Sequence, residues 1–172
     1  MGDTGELTPK DFGAWYEHCH DRVLAGVRVT TRDAQHAPDA VSEAFMRAFE
    51  AWDRVAVMER PEAWVFTVAI NVLRRRGRRA GTERRLLRRL NDREIDASPL
   101  VPHESDDELW VAVGALPPRQ RQAVALRYVL GLTQHDVAAA MGVSDGTAAS
   151  TLAKARATLA QRLGTIEESA RD

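Results

Sequence analysis

The stretch that decides the fold is Leu116–Leu163, which reads LPPRQRQAVALRYVLGLTQHDVAAAMGVSDGTAASTLAKARATLAQRL. Pro118 suits the first turn of a helix, where a missing N–H costs nothing, and Gly131 suits the position just after its end. Thr133 predicts the start of a second helix, because Asp136 follows three residues later in a pattern like a capping box. The stretch therefore predicts two consecutive short helices with their own start and stop signals.

A third helix is predicted after a tight turn at Gly142, with Ser144 as its cap. Its apolar residues are spaced by three or four, which is one face of a helix: Ala148, Leu152, Ala155, Leu159 and Leu163. Two short helices, a glycine turn and a longer, partly basic helix are typical of a helix-turn-helix whose last helix enters the major groove of DNA. The alternative is an ordinary helical hairpin whose glycine merely ends a helix.

Upstream, apolar periodicity predicts three more helices and no convincing strand. The first runs from Pro9, after a Thr8 cap, to about Val29, and the second from Pro38 to about Trp52. A loop over residues 53–60 leads to a third helix that begins at Pro61. The inner side of this third helix is predicted to hold Trp64, Val65, Val68, Ala69 and Val72. We therefore expect an all-α chain of two small helical domains.

Charge is strongly segregated along the chain, although the net charge of the 172 residues is only −1. Residues 74–93 carry a net charge of +8, mostly from arginine, and residues 94–108 carry −6 with no lysine or arginine. The acidic part is interrupted by Pro99 and Pro102 and has no apolar stripe, which is typical of a flexible tether. We therefore place domains at residues 8–80 and 109–166, joined by a flexible linker over residues 81–108.

Several classes of protein are disfavoured by composition. The single cysteine, Cys19, excludes an internal disulfide framework, and no apolar run approaches the length of a membrane span. The neighbouring His18 and His20 splay around a helix with Cys19 and cannot converge on one metal ion. No catalytic constellation or phosphate-binding glycine loop is present. We expect a cytoplasmic protein without cofactor, metal or enzymatic activity.

One polar line stands out on the helix that begins at Pro61. Thr67, Asn71, Arg74 and Arg78 share one face, and the charges on it are only positive. Such a line suits binding to phosphate groups, because each phosphate that is neutralised releases counterions and this release adds to the affinity. The alternative is a solvated basic helix end that the helix dipole stabilises.

These motifs together resemble the extracytoplasmic-function (ECF) sigma factors of the sigma-70 family. The stretch DAVSEAFMRA at residues 39–48 is similar to the family's helix that grips the RNA polymerase clamp. The stretch PEAWVFTVAIN at residues 61–71, with the arginines of residues 74–79, resembles the promoter-melting helix and its basic end. Residues 116–156 resemble the family's −35-reading helix-turn-helix. The resemblance covers nearly everything from Asp11 to Leu163.

The resemblance implies partners and site residues. The partners are core RNA polymerase, through its clamp and flap regions, and promoter DNA, with an anti-sigma factor as a further candidate. Polymerase contacts are implied at Asp39, Val41, Glu43 and Arg47. Contacts to the −10 element are implied at Thr67, Asn71, Arg74, Arg75 and Arg78. Contacts to the −35 element are implied at Arg119, Arg121, Arg127, Thr133, Asp145, Thr147, Ala149, Ser150, Lys154 and Arg156.

The chain departs from the family pattern at a few positions. Ser42 stands where glutamine is usual, and Ile70 where a basic residue is common. Ala149, Thr151 and Ala153 occupy recognition-helix positions that are often cationic, which predicts fewer direct DNA contacts. The alternative function is a stand-alone helix-turn-helix repressor or activator. Such a protein needs neither the acidic face of residues 39–52 nor the basic line that follows it.

Overall fold

The structure, a computed structural model, describes residues 12–31, 33–88 and 108–169. Regular structure in these residues is helical throughout, as the sequence predicted. The helices are α1 (Phe12–Thr30), α2 (Ala37–Glu50), α3 (Trp52–Val55), α4 (Pro61–Arg88), α5 (Glu108–Gly114), α6 (Pro118–Val124), α7 (Gln134–Met141) and α8 (Asp145–Ser169). A 3₁₀ turn at Ala34–His36 precedes α2, and a π-helical turn at Ala125–Val129 continues α6.

The second predicted helix is divided in two. Ala51, with φ −115° and ψ 24°, is not helical, so α2 ends at Glu50 and the short helix α3 begins at Trp52. Trp52 is buried, which fixes this turn against the core. The predicted loop over residues 53–60 was therefore wrong in its first half. The predicted cap and start of α1, at Thr8 and Pro9, lie outside the described residues.

The N-terminal module packs α1, α2 and α4 along their apolar stripes. Val23, Ala44 and Val65, one from each helix, have no exposed surface. The rings of Trp15 and Trp52 lie 4.8 Å apart and close one end of this bundle. Apolar residues spaced by three or four along these helices therefore supply the core of this module.

The C-terminal module follows the start and stop signals of its sequence. Thr133 and Asp136 form a reciprocal capping box at the start of α7. Gly142 ends α7 with a φ of +63°, a left-handed conformation that glycine adopts without steric cost. The Ser144 hydroxyl accepts a hydrogen bond from the Thr147 N–H at the start of α8. The helix-turn-helix is therefore built as its residues predicted.

Helix α4 is buried on a second side that the predicted stripe did not include. Phe66, Ile70 and Leu73 are buried there. Of the predicted inner stripe, Val65, Ala69 and Val72 are buried, and Trp64 and Val68 are half-buried. Phe66 lies beside Gly26 of α1, where Leu130 of the C-terminal module also approaches. The buried residues of both modules form one continuous hydrophobic core.

The described part of the predicted linker is also helical. Helix α4 continues to Arg88, so residues 81–88 extend the helix beyond the predicted domain boundary. The rest of the predicted tether, residues 89–107, lies outside the described residues. The two modules contact each other through α1 and α4 on one side and α5, α6, the π-helical turn and α7 on the other.

Candidate functional site

The outer side of α2 is a shallow groove with exposed apolar side chains between charged ones. Met46 and Phe49 are 59% and 62% exposed, which is unusual for large apolar side chains on one helix. The groove, which we call the α2 face, is lined by Asp39, Ser42, Glu43, Met46, Arg47 and Glu50. An exposed apolar strip with acidic residues beside it suits a partner protein with a basic rim.

Two ion pairs connect the α2 face to the basic end of α4. Arg76 lies 3.7 Å from the Asp39 carboxylate and 3.5 Å from that of Glu43. Glu43 also pairs with Arg47 one helical turn away. These pairs hold the carboxylates at one edge of the face, and this role of Arg76 was not predicted from the sequence.

Val41 does not lie on this surface. The resemblance implied a polymerase contact at Val41, but its side chain is fully buried in the core. The reason is its register, because Val41 lies with Ala44 and Ala48 on the inner stripe of α2. It supports the α2 face from below and presents no surface to a partner.

The α4 polar line, Thr67, Asn71, Arg74 and Arg78, is arranged along one side of α4. Asn71 and Arg78 are exposed, as is the neighbouring Arg75. Thr67 is half-buried, and its hydroxyl lies 2.9 Å from the carbonyl oxygen of Ala63. The Arg74 guanidinium donates a hydrogen bond of 3.0 Å to Oε1 of Gln122 in α6. The Thr67 hydroxyl also lies 3.4 Å from the carbonyl oxygen of Ala140 in α7, so Thr67 and Arg74 both contact the C-terminal module.

The outer side of α8 is open to solvent and polar. Ala148, Leu152 and Ala155 are buried, as the stripe predicted, and hold the opposite side outward. The exposed members, which with the half-buried Ala149 we call the recognition face, are Asp145, Thr147, Ser150, Lys154 and Arg156. This geometry leaves the N-terminal half of α8 free to lie against a double helix.

Of the four contacts predicted before α7, Arg119 and Arg127 are exposed. Arg121 is buried and donates to the carbonyl oxygen of Gly114, at the end of α5, over 2.6 Å. Arg127 donates to the carbonyl oxygen of Leu132, and Thr133 belongs to the capping box of α7. In this conformation these three groups hold the helix-turn-helix together, and Arg121 has no surface to offer DNA.

A histidine lies beside the recognition face. Nδ1 of His135 in α7 is 3.1 Å from Oδ2 of Asp145, at the first turn of α8. The hydrogen bond to Asp145 and the negative charge of this carboxylate raise the pKa of His135. Protonation of His135 in α7 therefore changes the net charge at the start of α8.

Comparison with known proteins decides the family. The Sigma-70 region 2 family model matches residues 15–83, and the Sigma-70 region 4 model matches residues 106–159. An RNA polymerase sigma-E factor of Streptomyces antibioticus is 31% identical over 139 residues, which cover 81% of this chain and 77% of that protein. The chain belongs to the sigma-70 family. It is an RNA polymerase sigma factor of the ECF type.

Other relatives agree with this assignment. The ECF RNA polymerase sigma factor SigM of Mycobacterium tuberculosis is 27% identical over 157 residues, covering 89% of this chain and 77% of that protein. The fold also matches the sigma factor RpoE of Bartonella quintana, solved with the anti-sigma factor NepR, with a TM-score of 0.74. That match has 24% identity and covers 90% of this chain and 98% of the other. In the part of this sigma factor that the structure describes, no helix has the length and apolar character to cross a membrane.

We expect the −35 binding of this sigma factor to weaken as pH rises. The pKa of His135 is raised in the folded protein above its unfolded value of about 6.5. The charged pair with Asp145 is therefore fully present below pH 6.5. It is lost as the pH rises through the higher pKa of the folded state. Above that point Asp145 is an uncompensated carboxylate near DNA phosphates. Because both groups are exposed, we expect an affinity change of about twofold between pH 6 and pH 8.5, measured by fluorescence anisotropy with −35 duplex DNA.

The matched control is another exposed histidine paired with an aspartate. His36 lies 2.6 Å from Asp33, away from α8. His135→Ala is expected to remove the pH dependence of the affinity for −35 DNA, whereas His36→Ala is expected to retain it. If His135→Ala keeps the full pH dependence, titratable groups other than His135 cause it.

Proposed function

We propose that the α2 face is the main surface through which this sigma factor binds core RNA polymerase. The observation that carries the proposal is the exposure of Met46 in a groove lined by Asp39 and Glu43, with the exposed Phe49 elsewhere on the same helix. Apolar residues buried at the centre of an interface supply affinity, and charges at its rim supply orientation and speed of association. A basic surface of the polymerase clamp is the partner of matching chemistry.

The two DNA elements are assigned to α4 and α8. Asn71, Arg74, Arg75 and Arg78, with Thr67, contact the −10 element and hold its separated strand through phosphate contacts. The recognition face reads the −35 element, with Arg119 as a backbone contact beside it. Residues 8–80 thereby serve polymerase binding and −10 opening, residues 109–166 serve −35 recognition and flap binding, and residues 81–108 connect them. Val41 and Arg121 take no part, because both are buried.

The protein acts as a cytoplasmic, non-enzymatic specificity subunit, and it needs no cofactor for this role. An anti-sigma factor is a further partner. A solved structure of similar fold supports this partner: the sigma factor RpoE in complex with the anti-sigma factor NepR. A second structure of similar fold is also a complex, of CnrH with the cytosolic domain of CnrY. The second matches with a TM-score of 0.60 and 22% identity over 92% of this chain.

Reconstitution with core RNA polymerase tests the proposed function. The purified chain is added to core enzyme on a library of promoter fragments, and runoff transcripts are sequenced. We expect initiation from a subset that shares one −10 and one −35 sequence. Runoff from no promoter, or the same products without the chain, would contradict the proposal.

We expect Lys154 and Ser150 to have different roles on the recognition face. Lys154→Ala is expected to weaken binding to all DNA similarly and to lower the salt slope by about one, because one phosphate contact is lost. Ser150 donates its proton to the carbonyl of Thr147 over 3.0 Å, so its oxygen offers acceptor lone pairs to a base. Ser150→Ala is expected to change base preference within the −35 element.

The matched control for Ser150 is Thr158, whose hydroxyl makes the same kind of bond, to the carbonyl of Lys154, over 2.9 Å. It lies two turns further along α8, so Thr158→Ala is expected to leave base preference unchanged. Selection of bound sequences from randomised −35 duplexes measures the base preference of Ser150→Ala and of Thr158→Ala. The assignment fails if Lys154→Ala weakens one −35 sequence only.

A further inference from the structure

Arg76 occupies a position in α4 where this helix faces α2. It follows Val65, Ala69 and Val72 at spacings of three or four, so it continues the buried inner stripe of α4. Its side chain is half-buried, whereas the other four arginines of residues 74–79 are exposed. The register of the helix therefore directs Arg76 towards α2, on the side away from the α4 polar line.

The Arg76 guanidinium reaches both acidic side chains at the edge of the α2 face. Nη1 of Arg76 lies 3.7 Å from Oδ2 of Asp39, and Nη2 lies 3.5 Å from Oε2 of Glu43. The other carboxylate oxygen of Glu43, Oε1, is paired with Nη2 of Arg47 at 2.5 Å. Each oxygen of the Glu43 carboxylate therefore has an arginine beside it in the free protein.

The two contacts of Arg76 are looser than the contact of Arg47. Strong hydrogen bonds between a guanidinium and a carboxylate are about 2.7–2.9 Å long, and both Arg76 distances are longer. Asp39 is exposed, and 40% of the Arg76 side chain is in contact with solvent. Water and salt screen an ion pair this exposed, so it contributes little to stability. A cation of a partner protein can therefore displace Arg76 from the carboxylates and leave Arg47 in place.

Arg76 also lowers the negative charge that a partner meets. The residues that line the α2 face have a net charge of −2, from three acidic residues and Arg47. The guanidinium of Arg76 at their edge reduces this local charge to −1. Attraction between oppositely charged surfaces raises the rate of association. The neutralisation by Arg76 therefore slows the encounter with a basic partner.

We propose that Arg76 is a built-in competitor for the basic residues of the partner, and that core RNA polymerase displaces it from Asp39 and Glu43 when it binds the α2 face. The proposal rests on the proposed function for the identity of this partner. Arg76 thereby makes the α2 face selective. A surface that offers positive charge alone gains little from carboxylates that are already neutralised, whereas the polymerase also gains from covering Met46.

Removal of the Arg76 guanidinium tests the competition. Arg76→Ala is expected to raise the affinity for core RNA polymerase about two- to fivefold at low salt, which is the range for one exposed ion pair. The gain is expected in the association rate and is expected to shrink as salt is added. Biolayer interferometry with core enzyme measures both rate constants. Weaker binding through faster dissociation would show that Arg76 holds the carboxylates in place for the polymerase, and would overturn the proposal.

Three other variants separate competition from net charge and from misfolding. Arg79→Ala removes an exposed arginine three residues further along α4 and is expected to leave the affinity for core enzyme unchanged. Arg76→Lys keeps the charge and is expected to bind as the wild type does. Arg76→Gln keeps a polar side chain at the half-buried site and is expected to show the same gain as Arg76→Ala. Equal gains in the Arg76 and Arg79 variants would assign the effect to net charge and overturn the proposal.

Neutral versions of the two acids distinguish this proposal from the proposed function. Asp39→Asn with Glu43→Gln keeps the shape of both side chains, and Arg76→Ala added to this pair is expected to have no further effect. If the neutral pair weakens polymerase binding but Arg76→Ala alone gains nothing, the competitor role fails and the proposed function stands. If the neutral pair binds polymerase as the wild type does, the proposed function fails.

An oligoarginine peptide tests the competition without the polymerase. Arg76→Ala is expected to bind the peptide about two- to fivefold more tightly than the wild type, measured by calorimetry at low salt. The gain is expected to vanish when Asp39 and Glu43 are neutral, which excludes binding of the peptide to other acidic parts of the chain as its cause. Circular dichroism checks that each variant is folded. A folded Arg76→Ala variant without this gain would overturn the proposal, whichever partner the α2 face binds.

Discussion

Reversing Asp39 and Glu43 to arginine is expected to reduce the affinity for core RNA polymerase about a hundredfold or more. The two carboxylates lie one helical turn apart on the α2 face and already neighbour Arg47 and Arg76. Reversal would place four arginines together opposite a basic partner surface. Like charges facing each other across an interface cost several kcal/mol, which is about that change in affinity. Pull-down and biolayer interferometry with core enzyme measure the loss.

The matched control has the same spacing on another helix. Glu17 and Asp21 are exposed on α1, four residues apart, and neither lies on the α2 face. Glu17→Arg with Asp21→Arg changes the net charge equally and is expected to retain polymerase binding. Circular dichroism checks that both double variants are folded. Wild-type binding by the folded Asp39 and Glu43 variant would show that the polymerase grips another surface.

Replacing Asn71 and Arg74 by alanine is expected to suppress open-complex formation between tenfold and a hundredfold, with polymerase binding unchanged. A hydrogen bond to a charged group contributes about 1.5–3 kcal/mol, and Arg74 supplies one to the phosphate backbone. Asn71 is exposed one turn before it and supplies an amide to the same strand. Permanganate reactivity of promoter thymines measures strand opening.

Loss of Arg74 also removes its hydrogen bond to Gln122 in the C-terminal module. Arg22→Ala with Gln35→Ala removes similar groups from exposed positions outside α4 and is expected to leave opening unchanged. Equal permanganate reactivity in the Asn71 and Arg74 variant and the wild type would refute the −10 assignment.

The features that could be predicted from the sequence are those determined within a few residues. The capping box at Thr133 and the left-handed turn at Gly142 depend on hydrogen bonds and sterics inside one short segment. The π-helical turn is different. The Leu130 N–H bonds to the carbonyl of Ala125 rather than to that of Leu126, and no residue in the turn distinguishes the two patterns.

Burial by distant segments explains the other differences. Val41 and Arg121 were assigned to partners by motif position, but the packing of neighbouring helices covers both. A signal for the second buried side of α4 was present in the sequence. Phe66, Ile70 and Leu73 form an apolar row beside the predicted inner stripe, and a helix that is apolar over so wide an arc is buried on more than one side. Ile70 is part of that row.

Helix α4 belongs to the cores of both modules, and this joins their folding. Separating the C-terminal module exposes part of the apolar row of α4 to water, at about 25 cal/mol for each Å² uncovered. The stability of each module therefore depends on side chains that the other module covers.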